Sequence, residues 1–578
     1  MSFCMKEVII LLMSILLIVP TVLAEQGHVP LIAVSSFDDG QRVGTIGDLY
    51  LEIRPGDDRV FLDTFPLTKT GTQISMRFAK QIACKYVKKN CDNYDFIYTI
   101  RANSGLVTGP SAGAVATMLT IAVLENKELN KHVAMTGTIN SGGYIGPVGN
   151  VKEKIEAAKN AGLTTILIPK GDRFSETDNQ TIDLVQYGNQ LSVDVIEVSD
   201  IEEAVWYFLG EKQDTEQEVV LDYQYTEVMR TLAEKLCDRT QTLSKDIVNV
   251  SVEDTRMRSM QEEIIRLQET SKNVLKDNQA YSAASFCFRA NVVASSLLYE
   301  LQNPTGKAID EKKAVIESSL KEIEDKIDAK KIETINDLQT FMVVKERLRE
   351  AKDYLNAIDG QKNDTRAVAS LFAFAGERLY AAVTWSEFFS GKSSPFDLDQ
   401  KRLKESCEQK LSEAEERYNY VQEYFPQLFD ARSGIDIAFQ DYQNGDMALC
   451  LFRATKAKAE INVIINLIGV TDNQVPAVLQ QKLKIAKKAI AEQQSEGIFP
   501  IVGYSYYEYA NALSEYDLSS ALLFAEYALE LSNLDIYFPK KTNNIDLNPG
   551  LVWPFLLGLG AGILITCYLL KPKKEEEA

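Results

Sequence analysis

The chain has 578 residues, about four times the ~150 residues typical of one domain, so several domains are expected. Apolar residues make up 45% and charged residues 25%, the composition of a folded globular protein rather than a disordered chain or a polytopic membrane protein. A formal net charge of −20 argues against nucleic acid as a partner, and the two histidines, His28 and His132, rule out His-rich metal sites and leave any His-based catalytic group only those two to use.

Residues 1–24 hold Lys6, an apolar run from Val8 to Val19 and a Val22-Leu23-Ala24 ending. This is the pattern of a secretory signal peptide, and cleavage is favoured over an uncleaved anchor because the run is short for a span. At the other end, Leu551 to Leu570 carries no formal charge. A helix of that length, at ~1.5 Å per residue, crosses a ~30 Å hydrocarbon core. A transmembrane helix is therefore expected over 549–570, with 571–578 as a cytoplasmic tail, since Lys571, Lys573 and Lys574 obey the positive-inside rule. The expected arrangement is single-pass in the cell membrane with a large extracytoplasmic part. The eight cysteines contain no Cys-x-x-Cys, and Cys84 can bridge Cys91 only if the helix between them ends. No pairing follows from the sequence alone.

Residues 25–211 alternate β-rich and helical runs and read as an α/β domain. Strands are expected at Leu31–Ser35, Asp48–Ile53, Arg59–Leu62, Asp95–Ile100, Thr164–Ile168 and Val193–Val198. Helices are expected at Gln73–Lys88, Ala112–Glu125, Val151–Ala161 and Asp200–Phe208. Residues 212–548 read as all-helical. Four windows there combine small residues with Phe: Ala283–Ala290, Ala369–Ala375, Ala448–Ala454 and Ser520–Ala525. Small residues let helices approach closely, so a degenerate array of helical hairpins is expected, with an irregular bundle as the alternative.

The chemistry points to Thr108-Gly109-Pro110-Ser111-Ala112-Gly113, a turn that delivers Ser111 to the start of an apolar helix. Backbone N–H groups and the helix dipole there suit an oxyanion beside Ser111 Oγ. A serine nucleophile needs a base, and a lysine can serve only when burial lowers its pKa from ~10.4. In Val151–Ala161, Asn150 and Glu153 read as a capping-box-like start, and Val151, Ile155 and Ala158 form an apolar stripe bordered by Lys154. Lys152 groups with Glu156 and Lys159 on the polar face, so Lys154 is the candidate base.

The segments Gly-Pro-Ser-Ala-Gly at 109–113, Val-Ala-Met-Thr-Gly at 133–137, Gly-Pro-Val-Gly-Asn-Val-Lys-Glu-Lys at 146–154 and Ile-Leu-Ile-Pro at 166–169 resemble the proteolytic domain of the Lon proteases. The resemblance covers roughly residues 28–210 and is to a membrane-anchored, archaeal-like form lacking the ATPase module. It implies a Ser-Lys dyad of Ser111 and Lys154, with Thr136, Gly109 and Pro110 in supporting roles. Thr108 and Thr138 stand where acidic residues are usual. No P-loop occurs in the sequence; Gly391-Lys392-Ser393 lacks the upstream glycine, because position 386 is Ser.

The fold class expected is thus an α/β Lon-like proteolytic domain, then an all-α helical-hairpin region and one C-terminal transmembrane helix. The expected function is a membrane-anchored, extracytoplasmic, ATP-independent serine endopeptidase acting on unfolded or flexible polypeptides, with no metal or other cofactor. By the resemblance it would form a homo-oligomer. The alternative is an inactive or self-processing surface scaffold whose helical region binds a protein partner. A hydrolase based on His132 is the weakest reading, because no matching Ser or Asp motif accompanies it.

Overall fold

The computed structural model describes residues 25–36, 42–65, 67–68, 70–102, 110–177, 180–211, 218–248, 254–389, 398–428, 430–468 and 470–533, with the single positions 558 and 562. The expected signal peptide, the expected membrane span apart from those two positions, the cytoplasmic tail, and Thr108 and Gly109 lie outside the described residues. Among the described residues no helix is long and apolar enough to cross a membrane.

The first sheet has the order β1-β2-β4-β3, with β1 (Glu25–Ser36), β2 (Arg42–Pro55), β3 (Val60–Phe65) and β4 (Tyr94–Ala102). Only the β3–β4 pair is parallel. Leu49, Leu51 and Ile53 on β2 and Phe96, Tyr98 and Ile100 on β4 are buried with the period of two that a one-sided sheet requires. They pack on α1 (Thr70–Tyr86) and α2 (Gly113–Leu124). Every residue of α2 is buried, which accounts for its lack of a polar face. The strand expected at Leu31 begins at Glu25 instead, because Glu25 already pairs with Ile53 in continuous register. Helix α1 stops at Tyr86, and this lets the chain turn back so that Cys84 and Cys91 form a disulfide with Cα atoms 6.2 Å apart.

A second, parallel sheet has the order β11-β8-β5, from β5 (Val133–Met135), β8 (Thr165–Pro169) and β11 (Asp194–Val198). Helix α3 (Val151–Asn160) covers it, burying Val151, Ile155 and Ala158 with Ile166 and Ile168. Between β5 and α3 lies a short antiparallel ribbon of β6 (Thr138–Ile139) and β7 (Ile145–Gly146). The hairpin of β9 (Phe174–Thr177) and β10 (Gln180–Asp183), followed by α4 (Leu184–Gln190), was not expected from the sequence; α5 (Ile201–Leu209) was.

Twelve helices follow among the described residues: α6 (Tyr223–Val248), α7 (Thr255–Lys276), α8 (Ala280–Gln302), α9 (Gly306–Asp328), α10 (Ile335–Ala357), α11 (Thr365–Trp385), α12 (Gln400–Tyr424), α13 (Asp430–Gln443), α14 (Met447–Leu467), α15 (Val475–Ser495), α16 (Ile501–Leu513) and α17 (Leu518–Ser532). The pairs α7–α8, α10–α11, α13–α14 and α16–α17 pack as sequential hairpins. Each small-residue window falls on the second helix of a pair, where Ala283, Ala373, Ala454 and Ala525 are buried. Asp364, Asp446 and Asp517 cap α11, α14 and α17 by accepting first-turn backbone N–H groups. Disulfides join Cys237 on α6 to Cys287 on α8 and Cys407 on α12 to Cys450 on α14. The α/β and helical regions share one compact unit. Arg417 Nη2 on α12 donates to the Ile139 carbonyl at 3.0 Å, Gln474 donates to Gly171 O at 2.9 Å, and Lys488 pairs with Glu202.

Candidate active site

Ser111 sits in a single 3-10 turn, Pro110–Ala112, leading into α2; Pro110 and Ala112 are buried and Ser111 is partly exposed. Two backbone bonds clamp this turn to the segment after β5. Gly137 N–H donates to the Ser111 carbonyl at 3.0 Å, and Ala114 N–H donates to the Gly137 carbonyl at 3.1 Å. Gly113 permits the approach, since a Cβ there would lie 2.7 Å from Ile139 Cγ2.

Lys154 projects from α3 into the core and is 4% exposed, as its place beside the apolar stripe suggested, whereas Lys152 is only partly buried. Its Nζ donates to Thr136 Oγ1 at 3.0 Å. Burial pushes its pKa down to about 8, against the opposing pull of the Asp172 and Glu153 charges. The helix start differs from expectation. Asn150 adopts a left-handed conformation (φ 59°) and makes no side-chain cap; its Oδ1 accepts from Arg42 Nη1 at 2.7 Å. A capping side chain requires extended backbone at that residue, and Asn150 instead ties α3 to β2. Gly44 on β2 has the same effect, because a Cβ there would fall 1.9 Å from the Glu153 carbonyl oxygen.

Thr136 is fully buried, with its N–H donating to the Leu167 carbonyl at 3.0 Å as an extension of the β5–β8 pairing. One short segment therefore links both candidates: Thr136 meets Lys154, and the next residue, Gly137, meets Ser111. Pro110 is in the same turn, and Gly109 lies outside the described residues. Thr138 is buried and accepts from Asn140 Nδ2 at 3.2 Å. His132 is exposed in the turn before β5.

Two residues escaped the sequence reading. Asp172 accepts from Val148 N–H at 3.0 Å, and burial pushes its pKa up to about 7, partly offset by that bond and by the Lys154 charge. Its position just beyond the carboxyl end of parallel strand β8 was the available signal. Arg417 reaches the β6 carbonyl from far along the chain, and no local pattern marks it.

Residues 67–208 match the family described as the Lon protease (S16) C-terminal proteolytic domain. The chain is 28% identical over 193 residues to the Lon protease of Mycoplasma mobile, covering 31% of this chain and 22% of that protein. It is 33% identical over 146 residues to that of Phenylobacterium zucineum, covering 23% and 18%. It is 43% identical over 82 residues to that of Roseiflexus castenholzii, covering 13% and 10%. The chain thus spans less than a quarter of the length of each of these curated relatives, and the similarity supports a serine protease domain of Lon type.

Proposed function

We propose that this chain is a membrane-anchored, extracytoplasmic, ATP-independent serine endopeptidase, an archaeal-like form of the Lon proteolytic module, in which Ser111 and Lys154 form a catalytic dyad. The observation that carries the reading is a buried lysine with a lowered pKa, bonded to Thr136, whose neighbour Gly137 is bonded to the Ser111 backbone. Ser111 Oγ attacks the scissile carbonyl as its proton passes to neutral Lys154, which later protonates the leaving amine. Thr136 orients the amine. First-turn N–H groups beside Ser111 stabilise the oxyanion, and water then hydrolyses the acyl-enzyme.

The location outside the cytoplasm is favoured by three disulfides, which persist in oxidising compartments. Independence from ATP rests on the lack of a P-loop in the sequence, and a site without an unfolding motor suits unfolded or flexible polypeptides. The test is cleavage of an unfolded protein by wild type, Ser111→Ala and Lys154→Ala, with and without ATP. Wild type is expected to cleave equally in both conditions, and both variants to lose at least about 10³-fold in rate. Equal cleavage by all three would reject the dyad; no cleavage by wild type would leave the scaffold reading in its place.

A further inference from the structure

We propose that the helical region holds a binding site for a monoanionic aromatic carboxylate, bound by Arg347 and Trp385. A cavity of about 430 Å³ lies where the four small-residue helices α8, α11, α14 and α17 converge with α6, α10 and α16. That volume falls within the ~300–1,000 Å³ of small-molecule sites. The small side chains Ala284 and Ser285, from the window Ala283–Ala290, and Ser520, from the window Ser520–Ala525, line it, so two of the windows conspicuous in the sequence leave open space as well as bringing helices together.

The charge around this space is unevenly paired. Four cations, Arg289, Arg347, Arg378 and Lys456, face three carboxylates, Glu346, Glu350 and Asp517. Lys456 pairs with Glu346 at 2.6 Å, Arg378 pairs with Glu350 at 2.8 Å, and Asp517 caps α17. Arg289 is exposed and its charge is met by that of Asp517, which leaves Arg347 as the buried cation without a carboxylate. It is 8% exposed, its guanidinium lies 5.2 Å from the Trp385 ring centroid, and its Nε is buried without a hydrogen-bond partner. Among the described residues no carboxylate forms an ion pair with it.

A buried guanidinium nitrogen without an acceptor is costly, and a planar carboxylate is the group that matches the fork of donors it belongs to. One excess positive charge selects a monoanion, since a dianion would meet the three carboxylates already in place. The remaining wall is aromatic: Tyr281, Phe288, Tyr509 and Phe524 line the space, and Tyr509 and Phe524 pack edge to face at 4.8 Å. Such walls suit an aromatic ring on the ligand. Two sources supply this chemistry, a free aromatic acid or the carboxyl end of a peptide terminating in an aromatic residue.

The test uses the full chain in a Ser111→Ala background, which prevents turnover and makes the readout binding rather than proteolysis. N-acetylphenylalanine, its neutral primary amide and the peptide Ala-Ala-Ala-Ala-Phe are titrated by calorimetry, with Trp385 fluorescence as a second signal. The acid is expected to bind at least about tenfold more tightly than the amide, with the preference lost in Arg347→Met. The acid–amide comparison needs no change at Arg347 and so stands even where Arg347→Met does not fold. Tighter binding of the peptide than of the acid assigns the site to a peptide end, and the reverse assigns it to a free acid; either supports the proposal. Equal binding of acid and amide, or no binding of acid and peptide, overturns it.

Discussion

Lys154 in the α/β region and Lys458 in the helical region are both buried, 4% and 1% exposed, but they are surrounded differently. Lys154 donates to the neutral Thr136 hydroxyl, and burial carries its pKa down to about 8. Lys458 donates to Glu413 and Glu530, each at 3.1 Å, and lies 4.4 Å from the Phe78 ring centroid. Burial lowers its pKa as well, but the two carboxylates outweigh that, and the net shift is upward. Burial alone therefore does not make a lysine a base. The partner decides whether the amine stays a fixed cation or gives up its proton near neutral pH.

The same substitution at both positions tests that contrast and should give the largest effects. Lys154→Met is expected to abolish cleavage of an unfolded substrate while leaving urea stability unchanged or raised, because an apolar side chain replaces a desolvated amine. Lys458→Met removes one partner from a buried network and should cost about 3–5 kcal/mol of unfolding free energy. Similar stability losses in both variants would break the distinction between the two lysines.

Arg417 joins the two regions and gives a smaller effect. Its guanidinium holds the Ile139 carbonyl and stacks on Phe78 at 4.8 Å, while Ile139 packs against Gly113 at the start of the helix after Ser111. Arg417→Met should lower kcat by about tenfold, a 1.4 kcal/mol effect, through looser placement of the Ser111 turn. Its pH profile should keep the wild-type acid limb, since Arg417 acts on the serine side of the site. A displaced acid limb would show that it acts through Lys154 instead.

The elements that were legible in the sequence are those whose pattern is local. Leu49, Leu51 and Ile53 alternate, and Val151, Ile155 and Ala158 recur at helical spacing, so the sequence marks the Asp48–Ile53 part of β2 and helix α3, with Lys154 beside the inward face, while the first half of β2 carries no such pattern. The ribbon β6–β7 has only two residues on each side, too few to show a period, and its burial comes from α2 and from α12 far along the chain. The Cys84–Cys91 bridge depended on where α1 ends, which composition does not reveal. Arg417 is set by tertiary contacts alone, Asp172 is marked only by its place just beyond strand β8, and the Phe-containing windows showed close packing but not the cavity between their helices.

The smallest effect is expected at Asp172, and its sign is the most informative. In the proposed dyad Lys154 is neutral when it accepts the Ser111 proton, so activity should fall about tenfold per pH unit as pH drops below about 8. The ionised Asp172 carboxylate raises the Lys154 pKa and so opposes the neutral amine. Asp172→Asn keeps a carbonyl oxygen to accept from Val148 N–H but removes that charge, which lets burial lower the Lys154 pKa further. The acid limb should move to lower pH by up to about one unit, and the variant should outperform wild type near pH 7. Because burial holds Asp172 itself at about 7, the wild-type limb belongs to the coupled pair, and the variant should show a limb closer to a single ionisation. A shift to higher pH would mean that Asp172 supports the base by orienting it rather than by setting its charge.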